Sequence, residues 1–429
     1  MEKIEQLYQT FLSSSGVTTD TRKIEPENIF FALKGPTFNG NQFAELAFEK
    51  GAKLIVIDEI EFINIPNTFL VDDCLLALQE LAKYHRKQFN FPILGLTGSN
   101  GKTTTKELIQ AVLSKKFKTM ATIGNLNNHI GVPLTLLSFP LDLEIGIVEM
   151  GANHQKEIEF LSDICQPNYG LITNFGKAHL EGFGGVEGVI KGKSELYNNL
   201  FDSNGTIFYN ADDEKQKEIL KNYANKNGFT KKNIPLCLNY EVNNQSEKVE
   251  ITYLENEIKS NLFGSYNAQN IMYAVLIGNY FKVPDYEIKE AIESYFPTNN
   301  RSQWKTTLKN QLILDAYNAN PSSMQFAINE FYHLKTENEK LCILGDMFEL
   351  GNSSKIEHQN ILSLLSNLNL KAYLVGKNFK ILKEFYPNFR FFESVDELID
   401  SKILDNLQNK TILIKGSRGI KLETIYEFL

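Results

Sequence analysis

A glycine-rich turn that leads into a lysine is the strongest chemical signal in the chain. The turn, Thr97-Gly-Ser-Asn-Gly-Lys-Thr-Thr104, stands between the apolar run 92–96 and a helical pattern at 106–115. Such a turn directs backbone N–H groups at an anion, and the helix start adds its positive dipole end. A lysine here can reach the terminal phosphates of ATP, and the next hydroxyl can hold Mg²⁺. We therefore predict a phosphate site formed by Gly98, Ser99, Asn100, Gly101, Lys102, Thr103 and Thr104.

The spacing of this turn departs from the general phosphate-loop pattern. Leu96 occupies the place of the first glycine, five residues before Gly101. An ordinary tight turn is therefore the alternative, because Gly-Lys-Thr also arises by chance. The order of strand, turn and helix favours the phosphate site.

Three further side chains are placed by the predicted elements. Glu149 ends the apolar run 145–148, and His179 follows the run 170–174. Ligands of open parallel sheets collect beyond the carboxyl ends of the strands, so Glu149 is placed to meet Mg²⁺ beside Thr103. A surface or capping carboxylate is the alternative. Taken alone, His179 is typical of a hydrogen-bonded loop histidine, and Lys193 is typical of a solvated lysine on a helix.

Composition excludes several classes of protein. The chain has 429 residues, a net charge of −8 and 42% hydrophobic residues. We expect no nucleic-acid partner, because such binders usually present a basic face. No apolar run approaches the ~18 residues that span a bilayer, so we expect a cytoplasmic protein without a membrane span. Cys74, Cys165, Cys237 and Cys342 contain no CxxC pair, and we expect reduced core residues.

The pattern of elements predicts an α/β fold with three domains. Residues 1–90 alternate short apolar runs (28–33, 53–58, 68–71) with helical patterns, which indicates a small α/β unit. Residues 91–297 predict a mostly parallel sheet covered by helices, with peripheral hairpins and loops at 215–261. Residues 298–429 predict five short strands in an open, Rossmann-like sheet.

These motifs, in their order and spacing, resemble the Mur ligase family of peptidoglycan synthesis over essentially the whole chain. The resemblance is carried by the phosphate turn, Glu149-Met-Gly, Ala178-His-Leu-Glu-Gly182 and the helix with Lys193-Ser-Glu. Asp20-Thr-Arg22 and the following 28–40 segment resemble the UDP-sugar domain of the family. Four segments are similar to the branch that adds D-alanyl-D-alanine, and they are 124–133, 315–324, 344–351 and 415–418.

The resemblance implies a role for each matched residue. It implies that Lys102 neutralises the β/γ-phosphates, that Thr103 and Glu149 hold one Mg²⁺, and that His179 helps to hold a second. Lys193 matches the carbamylated lysine of the family, whose anionic form can face Mg²⁺. It further implies that Asn270 contacts adenine, Arg301 the phosphates and Asp315 the ribose. The dipeptide carboxylate is expected at Lys415 and Arg418, and the substrate is expected at Asp20, Thr21, Arg22 and Asn128.

The implied reaction is the ATP-dependent joining of D-alanyl-D-alanine to UDP-N-acetylmuramoyl-tripeptide through an acyl phosphate, with release of ADP and phosphate. We expect the enzyme to be a monomer. The ligase that adds the third amino acid is the nearest alternative, but its diaminopimelate-adding members carry Asp-Asn-Pro-Arg, which this chain lacks. Folylpolyglutamate synthase is a more distant alternative. An alternative from a different class of protein is a scaffold that only binds nucleotide. The full set of metal-site residues argues against it.

Overall fold

A computed structural model describes residues 2–243, 248–298 and 301–429. Within these residues the chain forms three main sheets of four, nine and six strands, together with a short two-stranded hairpin. Most strand pairs in the main sheets are parallel, and helices connect them. The α/β class predicted from the sequence is therefore confirmed.

The N-terminal sheet is all-parallel, in the order β1-β2-β5-β6. The sequence predicted β2, β5, β6 and helices near α2 and α3, but not α1 and β1. The elements are β1 (Gly16–Thr18), β2 (Asn28–Phe31), β3 (Lys34–Gly35), β4 (Phe38–Asn39), β5 (Leu54–Ile57), β6 (Thr68–Leu70), α1 (Glu2–Leu12), α2 (Ala44–Glu49) and α3 (Cys74–Arg86).

The central sheet has the order β15-β14-β13-β12-β11-β10-β7-β9-β8. Its strands are β7 (Ile93–Thr97), β8 (Thr119–Ala121), β9 (Ile145–Glu149), β10 (Tyr169–Ile172), β11 (Thr206–Asn210), β12 (Lys226–Thr230), β13 (Cys237–Asn243), β14 (Glu250–Tyr253) and β15 (Asn256–Lys259). Its helices are α4 (Lys102–Leu113), α5 (Gly131–Leu137), α6 (Glu157–Cys165), α7 (Leu180–Phe183), α8 (Val186–Asp202), α9 (Glu214–Ile219), α10 (Asn267–Tyr280) and α11 (Asp285–Glu293).

The segment 215–261 is more ordered than the sequence predicted. Strands β12 and β13 extend the parallel sheet, and only β13, β14 and β15 form an antiparallel meander. Tyr240, Ile251, Tyr253 and Ile258 are buried on this extension, while polar residues stand between them. Strands that bury one face alternate with polar residues, so their apolar content is low. The predicted hairpins are present at the edge of the sheet, but the parallel pairing of β12 with β11 and β13 was not predicted.

The C-terminal sheet has the order β16-β17-β21-β18-β19-β20. Five strands were predicted, and the sixth is β16, which pairs antiparallel with β17 at the edge of the sheet. The elements are β16 (Gln303–Thr306), β17 (Gln311–Asp315), β18 (Glu339–Gly345), β19 (Lys371–Val375), β20 (Arg390–Phe392), β21 (Lys410–Lys415), α12 (Pro321–His333), α13 (Ser354–Asn367), α14 (Lys377–Lys380) and α15 (Val395–Asp400).

Two expectations from composition can be compared with the fold. All four cysteines are free thiols, and Cys74, Cys165 and Cys342 are buried as expected, whereas Cys237 is half-buried. Among the described residues, no helix is long and apolar enough to cross a membrane.

Candidate active site

The central and C-terminal sheets direct the carboxyl ends of their strands at one cavity of about 1070 Å³. Glu149 ends β9, Asp315 ends β17 and Lys415 ends β21, and all of them line the cavity. The phosphate turn after β7 lines it as well. The fold therefore brings together residues that the sequence predicted separately, as expected where parallel strands end.

The phosphate turn has the backbone that its glycines permit. Gly98 and Gly101 have φ of 145° and 78°, which side chains rarely adopt. A Cβ on Gly98 would lie 1.9 Å from Oγ1 of Thr173, and a Cβ on Gly101 would lie 2.5 Å from Oδ1 of Asn270. Asn174 fixes the turn from β10, because its Oδ1 accepts a 3.1 Å hydrogen bond from the N–H of Asn100. Tight packing on both sides holds the turn open toward the cavity.

Lys102 begins α4 and folds back over the turn. Its Nζ donates to the carbonyl of Gly98 at 2.8 Å. Burial lowers the pKa of Lys102, with a further lowering by Arg301 that the charge of Glu149 opposes. An anionic ligand bound at this position would oppose that lowering, because an adjacent negative charge favours the ammonium form.

Glu149 is buried, with only 2% of its surface exposed. Its Oε1 accepts from Nδ2 of Asn127 at 2.8 Å and from Oγ1 of Thr103 at 3.3 Å. Its Oε2 is buried without a hydrogen-bond partner among the described residues, and Nζ of Lys106 is 3.8 Å away. Sequence reasoning missed Lys106, although it lies one helical turn from Lys102, and it named Asn127 only as part of a motif. A buried oxygen left open beside a hydroxyl fits a bound cation.

His179 stands on the loop between β10 and α7 and lines the cavity. Its Nδ1 pairs with Oε2 of Glu349, which comes from the C-terminal domain. The pKa of Glu349 is lowered, chiefly by this hydrogen bond from His179. Glu349 lies in the quoted segment 344–351, but its contact with the imidazole was not predicted.

Lys193 is buried, with 1% of its surface exposed, so the prediction of a solvated helix lysine was wrong. Its Nζ donates to the carbonyl of Ala152 at 3.2 Å and lies 5.0 Å from the ring centre of Phe183. Burial lowers the pKa of Lys193 well below its usual value, and the charge of Lys102 lowers it further. No ion pair of Lys193 occurs in the described part of the chain. The fold thus places an amine with a reduced tendency to be charged beside Ala152 and Phe183, although Lys193 itself does not line the cavity.

Two asparagines of α10, Asn267 and Asn270, share a face of the helix. Nδ2 of Asn270 donates to Oδ1 of Asn267 at 2.7 Å, and Oδ1 of Asn270 accepts from Oγ1 of Thr105 at 3.0 Å. Both asparagines are buried, yet both line the cavity.

The C-terminal domain contributes a cluster of cations around one ring. The guanidinium carbon of Arg301 lies 3.7 Å from the ring centre of Tyr317, and that of Arg418 lies 5.2 Å from it. Nζ of Lys415 pairs with Oδ2 of Asp315 at 2.5 Å, because the two residues are register partners on β21 and β17. Sequence reasoning missed Tyr317, which lies inside the quoted segment 315–324. Asn300, where the family usually has glycine, lies outside the described residues.

The predicted sugar-nucleotide residues stand apart from this cavity. Asp20 and Arg22 form an ion pair at 2.8 Å with Arg22 exposed, and neither they nor Thr21 line it. The guanidinium of Arg22 holds the pKa of Asp20 at about 2. Asn128 does line the cavity, and its Oδ1 also accepts from the N–H of Gly131 at the start of α5, at 2.9 Å. The described residues contain no cluster of three His, Cys, Asp or Glu that could hold a metal ion.

Three family models match successive parts of the chain. The Mur ligase family catalytic domain matches residues 13–85, the Mur ligase middle domain matches 96–278, and the Mur ligase glutamate ligase domain matches 300–418.

Curated relatives match over nearly the full length. The UDP-N-acetylmuramoyl-tripeptide--D-alanyl-D-alanine ligase of Bacillus subtilis is 34% identical over 435 residues, which cover 96% of this chain and 93% of that protein. The protein of the same name from Escherichia coli is 32% identical and covers 97% of this chain and 94% of its own length.

Solved structures agree with these matches. MurF from Acinetobacter baumannii has a TM-score of 0.85 and 29% identity, covering 98% of this chain and 97% of that one. MurF ligase from Thermotoga maritima in complex with ADP has a TM-score of 0.84 and 25% identity, covering 97% of each chain. By sequence, family models and fold, the chain belongs to the Mur ligase family.

Proposed function

We propose that this protein is an ATP-dependent ligase that joins D-alanyl-D-alanine to UDP-N-acetylmuramoyl-tripeptide, giving ADP and phosphate for peptidoglycan precursor synthesis. Full-length similarity to proteins named for this reaction supports the proposal. The observation that carries it is the shared cavity, where the phosphate turn and buried Glu149 meet Arg301 and Arg418 of the C-terminal domain. A ligase needs such a joint site, because nucleotide, acceptor and dipeptide must meet in one place.

The residues of the turn region fit Mg²⁺. Oε2 of Glu149 is buried and has no hydrogen-bond partner in the described chain, and the hydroxyl of Thr103 lies beside the same carboxylate. Carboxylate and hydroxyl oxygens suit this ion. We propose that Thr103 and Glu149 hold one Mg²⁺ and that His179 and Lys193 help to hold a second. When bound, Mg²⁺ screens the repulsion between the acceptor carboxylate and the phosphates.

The environment of Lys193 supports carbamylation. Only a neutral amine attacks CO₂, and burial lowers the pKa of this lysine. The new N–C bond forms with loss of one proton and converts the amine into an anionic carbamate. We propose that Lys193 carries this group in the working enzyme, where the anion can face the second cation position.

The other residues have proposed roles in binding and orientation. Lys102 pairs with the β/γ-phosphates, so that the acceptor carboxylate attacks the γ-phosphorus and ADP leaves. The amine of the dipeptide then attacks the acyl phosphate and expels phosphate. We propose the phosphate turn 98–104 and Arg301 for the phosphates, Asn270 for adenine, Asp315 for ribose, Lys415 and Arg418 for the dipeptide carboxylate, and Asp20, Thr21, Arg22 and Asn128 for the UDP-linked acceptor.

Three further predictions belong to this proposal. The domain boundaries are placed at 1–90, 91–297 and 298–429, which lie just outside the limits of the three family matches. We propose a monomer, which size-exclusion chromatography with light scattering can test. We also propose a cytoplasmic location, because the reaction consumes ATP, and cell fractionation can test it.

The reaction is tested by phosphate release in a matrix of substrates. ATP is supplied with the UDP-N-acetylmuramoyl dipeptide or tripeptide and with either D-alanyl-D-alanine or a free amino acid, and each component is omitted in turn. We expect phosphate only with ATP, dipeptide and the tripeptide acceptor together, and a new amide product by mass spectrometry. Release without acceptor would indicate a simple ATPase, and release with the dipeptide acceptor and a free amino acid would favour the ligase that adds the third residue.

A further inference from the structure

A carboxylate of the C-terminal domain, that of Glu349, contacts His179 of the central domain. Oε2 of Glu349 pairs with Nδ1 of His179, and the carbonyl of Glu349 accepts from the N–H of Glu181 at 3.4 Å. Both side chains line the cavity. A loop of another domain therefore contacts the imidazole of His179 through a side chain and the nearby backbone of Glu181 through a carbonyl.

Both members of the pair have an unfavourable backbone conformation. His179 has φ of 53° and Glu349 has φ of 60°, in the left-handed region that residues with a Cβ seldom adopt. Such conformations persist where the surroundings hold them, and they concentrate at functional sites. Two facing residues with this feature indicate that the contact is maintained at a cost to local stability.

The loop that presents Glu349 is rigidly anchored. The N–H of Met347 donates to Nε2 of His358 at 3.1 Å, and the N–H of Phe348 donates to Oγ of Ser417 at 3.1 Å. His358 is fully buried, and its Nδ1 donates to the carbonyl of Ser354 at 2.7 Å. Glu349 thus stands on a fixed base, as a group that orients another must.

We propose that Glu349 is a positioning residue for His179, which it orients only when the C-terminal domain is docked on the central domain. With Nδ1 held in an ion-pair contact with this carboxylate, Nε2 is the ring nitrogen left to serve a ligand in the cavity. A carboxylate behind an imidazole fixes the ring, its tautomer and its basicity. Docking of the C-terminal domain is thereby coupled to the chemistry at His179. This inference rests on the proposed ligase function.

The test compares Glu349→Ala and Glu349→Gln with His179→Ala, the double variant His179→Ala/Glu349→Ala, and a matched control. The control is Lys177→Ala, which removes a neighbouring ion pair to Glu357 across the same interface at 2.8 Å but leaves His179 and Glu349 intact. Two quantities are measured: kcat at saturating ATP, Mg²⁺, tripeptide acceptor and D-alanyl-D-alanine, and the ¹⁵N spectrum of histidine-labelled protein with ADP and acceptor. Only six histidines are present, so His179→Ala assigns its own signal.

We expect Glu349→Ala to lower kcat by roughly 10- to 100-fold, the usual loss for a residue behind a functional imidazole. In Glu349→Ala we expect the ¹⁵N signal of His179 to lose its Nδ1–H form. We expect the kcat of Glu349→Gln to lie between those of wild type and Glu349→Ala. The kcat of the double variant should be no lower than that of His179→Ala. Lys177→Ala should keep kcat within about threefold, because the lysine of this pair is about half exposed and contacts neither His179 nor Glu349.

Three results would overturn the inference about Glu349, and a fourth would contradict the proposed active site. In the first, Glu349→Ala keeps the wild-type kcat and the wild-type tautomer of His179, while His179→Ala is inactive. This result would show that Glu349 does not position His179, and it would leave the ligase proposal unchanged. Equal losses in Glu349→Ala and Lys177→Ala would show that only docking matters. Additive losses of kcat in the double variant would show that Glu349 and His179 act independently. Full activity of His179→Ala would instead contradict the proposed site itself.

Discussion

Arg86 should be a main source of stability at the junction of the N-terminal and central domains. It is 8% exposed, and its guanidinium donates to the carbonyls of Cys165 and Gln166 at 2.8 and 2.7 Å and to Oδ1 of Asn168 at 3.0 Å. The two carbonyls follow the end of α6, where a cation also meets the negative end of the helix dipole.

The expected cost of Arg86→Ala follows from these contacts. Each charge-assisted hydrogen bond contributes about 1.5–3 kcal/mol, but neighbouring contributions do not add fully. The substitution removes three such bonds and the packing of the side chain, and it leaves the buried carbonyl of Cys165 without this donor. We therefore expect a loss of about 3–5 kcal/mol in the free energy of unfolding.

Urea unfolding of the full chain, followed by circular dichroism, measures this loss. The control is Lys87→Ala, because Lys87 is the adjacent exposed cation, and we expect its effect to stay within about 0.5 kcal/mol. The single tryptophan, Trp304, lies in the C-terminal domain, so its fluorescence reports whether that domain unfolds separately. A loss below about 1 kcal/mol for Arg86→Ala would refute the reasoning that these buried bonds hold the junction together.

Four further outcomes are expected. Lys102→Ala should keep its fold by circular dichroism but lose roughly 10³-fold or more in kcat, the scale of a cation that positions phosphates, and activity within tenfold of wild type would oppose the phosphate site. Lys193→Ala should be almost inactive and partly rescued by acetate or formate, whereas ordinary activity without added acid would exclude the carbamate. Arg418→Ala should raise KM for D-alanyl-D-alanine by about 10- to 150-fold and hardly change that for ATP, and the defect should shrink with the dipeptide C-terminal amide. Small-angle scattering with an ATP analogue and acceptor should show compaction, and an unchanged radius of gyration would argue against closure.

The position of the closing hinge can be argued from the junction that Arg86 holds. The two predicted domain boundaries, near 91 and 298, are the places where a hinge can lie. Phe91 is buried, and His85 beside Arg86 donates from Nε2 to the carbonyl of Phe139 in the central domain at 2.9 Å. Moving the junction at 91–92 would break these buried bonds. We therefore expect the closing motion at 297–298, with the N-terminal and central domains moving together.

Local sequence was sufficient for the phosphate turn and for the parallel strands near it. A glycine at a positive φ and a strand buried on both faces each have a strong local signature, so the apolar runs 92–96 and 145–148 match β7 and β9 to within one residue. Edge elements have weaker signatures, and β16 was missed. Its burial is partial throughout, and its place in the sheet depends on pairing with β17.

The burial of Lys193 could not be predicted from its own helix. The periodicity of apolar residues shows that a helix has a buried face and an exposed face. It does not show how much of the helix surface the neighbouring elements cover. On α8 the neighbours cover Gly188, Gly192 and Lys193. A Cβ on Gly192 would lie 2.4 Å from the ring of Phe183, which shows how closely α7 approaches. Only the tertiary packing of α7 on α8 turns an ordinary lysine into a buried amine.

The pairing of Asp315 with Lys415 shows what strand order adds to residue type. The sequence placed each residue at the end of a strand and predicted a different ligand for each, ribose for Asp315 and the dipeptide carboxylate for Lys415. Because β17 and β21 are adjacent and parallel, the two are register partners, and the ammonium already has a carboxylate at 2.5 Å. A second carboxylate would gain less from Lys415 than from Arg418, which is exposed, lines the cavity and forms no ion pair in the described chain. We therefore propose Arg418 as the stronger anchor for the dipeptide, and we expect Lys415 to serve first in holding Asp315 in place for its own ligand.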